Sequence, residues 1–191
     1  MAIGFFIGGN VLLKYLREQE AKNAVRVSAA VAISVPYDLS SGADALERRG
    51  IVRIYAHYLL RSLMGKVRAK EEVLANILDL DAVWASVTLR DFDDAATAKL
   101  HGFEGVEDYY HKSSSNCFIQ SIRVPTLLLH SRDDPFLPVV SLPFSAIEAN
   151  PFLSLVITEG GGHVGFFEGG PPWNPTLGME EQSASFLAHH H

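Results

Sequence analysis

Cysteine is almost absent from this sequence. A single Cys117 in 191 residues cannot close an intrachain disulfide, which excludes a disulfide-stapled scaffold and fits a reducing compartment. Basic residues are outnumbered: 16 Lys+Arg against 22 Asp+Glu leave a formal charge of −6. Nucleic acid is therefore not an expected partner, because phosphate recognition calls for a basic face. Long apolar runs are missing as well. The longest, Ala29–Val35, is interrupted by Ser34 and falls far short of the ~20 residues of a spanning helix. The opening MAIGFFIGGN has no basic region before its apolar residues and no small-residue cleavage site, so neither a transmembrane segment nor an export signal is expected, and the cytoplasm is the expected location. What remains is ordinary globular composition, 48% hydrophobic and 20% charged, enough to bury roughly 70% of the unfolded surface around one core.

Apolar patterning predicts a strand at the start of the chain, broken by Gly8-Gly9-Asn10 and followed by an amphipathic helix with Val11, Leu12, Tyr15 and Leu16 on one face. Ala29–Val35, Thr126–His130 and Leu153–Thr158 are short, nearly unbroken apolar runs of the kind that suits strands buried on both faces of a parallel sheet. A crossover helix is predicted over Pro143–Asn150 and a last helix over Thr176–Leu187. Strands alternating with helices point to a layered α/β architecture. The stretch 40–121 breaks that rhythm with helical patterns at Asp44–Leu63, Glu71–Leu78 and Asp91–Leu100. No Pro/Gly/Ser-rich linker flanks it, so it reads as an insertion between 1–39 and 122–191 within one domain.

Three places carry chemistry. Gly4-Phe5-Phe6-Ile7-Gly8 has the glycine spacing of a nucleophile elbow, G-x-S-x-G, in which small flanking residues permit a sharp turn that lifts the central side chain above the sheet. The helix start behind it favours developing negative charge. The bland alternative is a glycine-rich turn of another α/β protein. His130-Ser131-Arg132-Asp133-Asp134-Pro135 follows a predicted strand, where open α/β sheets carry their sites, and an Asp there can orient a histidine. Turn chemistry alone also explains Asp-Asp-Pro. Gly160-Gly161-Gly162-His163 follows the next strand, and a His in such a loop can act as general base or be a plain surface residue. His57, His101, His111 and His163 show no H-x-x-x-H spacing, so no metal site is expected, and no cofactor is implied. The charge run Arg90–Asp94 reads as a salt-bridged helix start.

The order elbow, acid, histidine is the chain order of α/β hydrolases, and the resemblance goes further. GFFIGGNVLLKYL matches the pattern GFSxGGN, and SVPYDL (Ser34–Leu39), RDFDDAAT (Arg90–Thr97), DYYHKSSS (Asp108–Ser115), RVPTLLLHSRDDPFLP and GGHVGF continue it nearly end to end. The chain resembles the YheT-like carboxylesterases and acylglycerol lipases of the α/β-hydrolase superfamily. The resemblance implies a partial hydrolase fold: the last four strands of a mostly parallel sheet, helices on both faces, and residues 40–121 as a helical cap. It implies Asp134 as triad acid, at the D of H-[GS]-x-x-D-x-x-x-P, with Asp133 the alternative one register away. It implies His163 as general base and the Ile7 N–H as an oxyanion donor. Cofactors are not implied, and the partner it implies is a small acyl ester or lipid.

Two departures stand out. Phe6 occupies the serine position and offers no nucleophilic atom, so the resemblance implies carboxylester hydrolase ancestry with a substituted, inactive nucleophile position. The alternative is a module that binds an acyl ligand or a partner without turnover. The match also begins at the elbow, which implies that the earlier strands and the second oxyanion donor are absent, and that the first strand leaves an exposed apolar edge. Such an edge is expected to favour self-association.

Overall fold

The computed structural model describes residues 1–21, 26–48, 50–169 and 176–190. In chain order, β1 (Ala2–Phe5) runs into α1 (Ile7–Ala21) and β2 (Ala30–Ile33). A helical stretch follows: α2 (Leu39–Leu46), α3 (Ile51–Arg68), α4 (Glu71–Leu74), α5 (Leu80–Ala85), α6 (Leu89–Phe92), a π-helical turn at Asp93–Thr97, α7 (Ala98–Leu100) and α8 (Val106–Ser113). Then come β3 (Thr126–Ser131), α9 (Phe144–Glu148), β4 (Leu153–Thr158), β5 (Phe167–Gly169), β6 (Thr176–Leu177) and α10 (Gly178–His189). The chain divides into two compact units, one formed by Met1–Asp38 with Ser113–His191 and the other by Leu39–Lys112.

The first unit is built on one four-stranded sheet, in the order β1-β2-β3-β4 and parallel throughout. Its registers align the strand ends, Phe5 with Ile33, Ile33 with Leu129, and Leu129 with Val156. Strand residues alternate between faces with period two. Ala30, Ala32 and Leu128 pack against Leu13 and Leu16 of α1 and Ile147 of α9, whereas Val31, Ile33, Leu127 and Leu129 face Met179, Phe186 and Leu187 of α10. Helices thus cover both faces, which is why the central strands β2 and β3 are buried along their whole length. The two small alanines leave room for α1 to lie close to the sheet. Buried Asn150 ties a surface turn to this core, its amide donating to the Ile119 and Ile122 carbonyls at 3.0 and 2.9 Å. Among the described residues β1 pairs with β2 alone, and Ile3 and Phe5 on that edge are exposed. No described helix is long and apolar enough to cross a membrane.

Local chemistry redraws several predicted elements. The single helix expected over Asp44–Leu63 is two, α2 and α3, because Gly50 adopts φ 95° and breaks the run. The helix expected over Glu71–Leu78 stops at Leu74. Asp79 then caps α5, accepting from the Asp81 and Ala82 amides at 3.1 and 3.2 Å. The helix expected from Asp91 starts two residues earlier, at Leu89, because Thr88 and Asp91 form a capping box. Thr176 and Leu177, expected in the last helix, pair with β5 in an antiparallel ribbon. Within the second unit the charge run at Arg90 is structural. Its guanidinium donates to Ser40 Oγ at 2.8 Å and Asp44 at 2.9 Å, and it bonds Glu107 as well. Nearby, burial pushes the Asp93 carboxyl up despite its bonds from Thr97 and Tyr110.

Candidate active site

The turn after β1 is set by glycine at two positions. A Cβ on Gly4 would lie 2.6 Å from the Gly8 carbonyl oxygen and 2.9 Å from Gly9 Cα, and one on Gly9 would lie 2.6 Å from Val35 Cγ2. Gly8 itself has nothing within 4 Å of a would-be Cβ. The close contact of β1 with α1 therefore rests on Gly4 and Gly9, one residue beyond the G-x-S-x-G spacing. At the apex Phe6 takes φ 49°, a left-handed conformation that is an outlier for a bulky side chain. Its amide donates to the Ile33 carbonyl at 2.9 Å, and its carbonyl accepts from Gly9 at 3.0 Å and Asn10 at 3.2 Å. Ile7 is the first residue of α1, so its N–H has no intrahelical acceptor. Buried Asn10 anchors the helix start, donating to the Ser113 carbonyl at 2.8 Å and accepting from the Ser115 amide at 3.0 Å.

The loop after β3 presents two carboxylates with different duties. The Asp134 side chain is fully buried. Its Oδ1 accepts from the Phe136 and Leu137 amides at 2.8 and 3.0 Å, while Oδ2 lies 2.8 Å from His163 Nδ1. Asp133 turns elsewhere: it accepts from the Ser131 hydroxyl and, at 2.8 Å, from the Gly162 amide. Those bonds hold its carboxyl below the usual carboxylate range. Buried His130 braces the same loop, its Nε2 3.0 Å from the Leu137 carbonyl. Burial lowers the pKa of that ring, against the upward pull of Asp134.

The glycine loop after β4 turns sharply, with Gly161 at φ 148° and Gly162 at φ 61°. A Cβ on Gly161 would stand 2.9 Å from Phe166 Cα. This turn delivers His163 to Asp134. An ionised carboxylate only accepts, so in a pairing with the carboxylate the 2.8 Å contact is donated by Nδ1–H and Nε2 is the ring nitrogen turned away from the acid. No hydrogen bond among the described residues engages Nε2. The ring is wedged between two aromatics: Phe6 meets it edge-on with centroids 4.6 Å apart and planes at 84°, and Phe136 lies at 4.8 Å and 66°.

Phe6, Asp134 and His163 thus meet at one point beyond the ends of β1, β3 and β4 of the parallel sheet, with the Ile7 amide one residue from Phe6. Asp133 lies outside the carboxylate–imidazole contact. Ser34 follows a different strand from the elbow and on that ground is not expected to replace the missing nucleophile. It is fully buried at the end of β2, adopts φ 48°, and donates its hydroxyl to the His163 backbone carbonyl. Only its place at the end of a buried strand hinted at this. Ser34 faces the histidine's backbone and not Nε2, so it is not arranged as a nucleophile. Among the described residues no three His, Cys, Asp or Glu side chains cluster as metal ligands would.

No family model matches the chain. It is 34% identical over 188 residues to "Putative esterase YheT" of Escherichia coli (strain K12), a match covering 97% of this chain and 54% of that protein. It is 32% identical over 169 residues to "Phospholipase ABHD3" of Mus musculus, covering 88% of this chain and 41% of the relative. The chain spans about half the length of the curated relatives it matches. Among solved structures, an alpha/beta fold family hydrolase from Bacillus anthracis str. Sterne superposes with a TM-score of 0.52 at 11% identity, over 99% of this chain and 66% of that one. That likeness concerns the fold alone.

Proposed function

This chain belongs to the α/β-hydrolase superfamily, on the branch of YheT-like esterases and acylglycerol lipases, and from that premise we propose that it carries a carboxylester hydrolase site whose nucleophile position is filled by Phe6. In this reading His163 is the general base, Asp134 fixes its tautomer and stabilises the imidazolium, and the Ile7 N–H is an oxyanion donor. With serine at position 6, the hydroxyl oxygen would bond to the ester carbonyl carbon and its proton would pass to His163 Nε2. That proton would then leave with the alcohol, and water would release the acid by the reverse path. With Phe6 there is no atom to attack and no proton to take. The chain is then catalytically silent, and the benzyl ring occupies the space over His163. The acyl esters taken by such a site would be short-chain esters or monoacylglycerols.

The observation that carries this reading is the 2.8 Å contact between Asp134 Oδ2 and His163 Nδ1, made beside an elbow strained at residue 6. The test is hydrolysis of p-nitrophenyl butyrate by the chain, by Phe6→Ser, and by Phe6→Ser/His163→Ala. Losing a nucleophile costs about 10⁶ in turnover, and an imperfectly placed oxyanion donor would forfeit roughly 10²–10³ of that. The serine variant should therefore gain about 10³-fold or more over the parent, and the double variant should lose that gain. A folded Phe6→Ser protein with no gain would refute the reading. Saturable acyl-ligand binding without product in all three would favour a binding module instead.

A further inference from the structure

The second unit carries a surface that the catalytic reading does not use. Helix α3 buries Val52, Ala56, Leu60 and Val67 in its own unit's core. Its other side should then be polar, yet Ile51, Ile54 and Tyr58 are 77%, 71% and 68% exposed. Their spacing of i, i+3 and i+7 stacks them on one outward stripe. The apolar surface continues off the helix, because Ile54 lines an open cleft of about 490 Å³ together with Val87, itself 76% exposed.

Charge is segregated along the same helix. From Gly50 to Lys70 there are five of the chain's 16 Lys+Arg and no Asp or Glu, within a protein of net charge −6. Arg53, Arg61, Lys66, Arg68 and Lys70 are all exposed. Arg68 lies over the Trp84 ring at 5.2 Å, and no ion pair among the described residues engages the other four. These four face solvent, and the one-signed stretch ends at Glu71 and Glu72. An outward apolar stripe accompanied by exposed basic residues outside any ion pair is the pattern of a helix that lies in a lipid–water interface. A soluble polyanion would gain nothing from the exposed isoleucines, and a protein partner would not require the one-signed charge.

We propose that α3 is a membrane-docking face that seats Ile51, Ile54 and Tyr58 in the acyl boundary of an anionic bilayer, with Arg53, Arg61 and Lys66 against its headgroup phosphates. This docking face is independent of whether position 6 can turn over substrate. It would bring the protein to a lipid surface.

The experiment is co-sedimentation of the full chain with vesicles of pure phosphatidylcholine and of equal parts phosphatidylcholine and phosphatidylglycerol. Each Lys or Arg near an anionic surface multiplies affinity about fivefold. Arg53→Gln/Arg61→Gln should therefore weaken binding to the anionic vesicles about 25-fold, and about 0.5 M salt should release the protein. Ile54→Ser/Tyr58→Ser should weaken it at least about tenfold at unchanged charge. All four positions are exposed, and circular dichroism checks that the variants keep the parent's helical signal. Arg53→Lys/Arg61→Lys should bind as the parent does. Failure to bind anionic vesicles at low salt overturns the proposal, as does equal binding to neutral ones. Capture on heparin that the Ile54/Tyr58 variant leaves unchanged would assign the face to a soluble polyanion. A dimer in solution dissolved by the same variant would assign it to a second copy of the chain. Either result overturns the bilayer.

Discussion

Substituting alanine separately at Gly4 and Gly8 should have opposite effects, although the elbow spacing treats the two glycines alike. At Gly4 the added carbon would sit 2.6 Å from the Gly8 carbonyl oxygen and 2.9 Å from both Gly8 C and Gly9 Cα, where ordinary contact begins near 3.4 Å. Relief requires α1 to retreat by about 0.8 Å (3.4 − 2.6). All three obstructing atoms are backbone, and the turn between them is pinned by the 2.9 Å bond from the Phe6 amide to Ile33. Overpacking of this kind costs up to about 3 kcal/mol. At Gly8 nothing lies within 4 Å, and alanine in the first turn of α1 removes unfolded-state freedom, a gain of about 0.5 kcal/mol. Urea unfolding followed by circular dichroism should separate the two variants by about 3 kcal/mol, with Gly8→Ala at or above the parent. Should Gly4→Ala come within about 0.5 kcal/mol of the parent, or Gly8→Ala prove the more damaging, close contact of β1 and α1 would not be what holds the elbow.

The remaining predictions concern the polar machinery. In the Phe6→Ser background, Asp134→Asn keeps the shape of the loop but lets the imidazole take the wrong tautomer, and turnover should fall about 10⁴-fold at unchanged KM. The same change at Asp133 should cost turnover far less, because that carboxylate holds the Gly162 amide and not the ring. Ser34→Ala removes the hydroxyl on the His163 carbonyl and should destabilise the fold by about 1 kcal/mol in urea unfolding. It should also slow the serine variant without changing its substrate affinity. Asp133 is held below its ordinary pKa, so its contribution to stability is present above the unfolded carboxylate value of about 3.9 and is lost as pH falls through the lower folded value. The melting-temperature gap between parent and Asp133→Asn should accordingly close below about pH 4; a gap constant from neutral to acid pH would show that the bonds from Ser131 and Gly162 carry no linkage.

Composition and periodicity already contained the layered architecture. Short, nearly unbroken apolar runs at Ala29–Val35 and Thr126–His130 are best buried between two layers of helix, and the chain order of elbow, acid and histidine put the site at strand ends, which the fold supplies from β1, β3 and β4. What sequence could not separate were alternatives one residue apart. Asp133 and Asp134 are chemically identical neighbours, and only the loop's curvature after β3 sends one to the imidazole and the other to a backbone amide. Gly8 and Gly9 are likewise the same residue, and only the packing of α1 against Val35 and β1 decides which of them must lack a side chain. Ser34 is one serine among many until the β4 loop folds back to place the His163 carbonyl against it. Local pattern fixes which segments bury their side chains, because burial depends on residue type and spacing. Which polar atoms then meet depends on chain segments 28 to 129 residues apart closing on one another, and the spacing of residues along a chain carries no record of that distance.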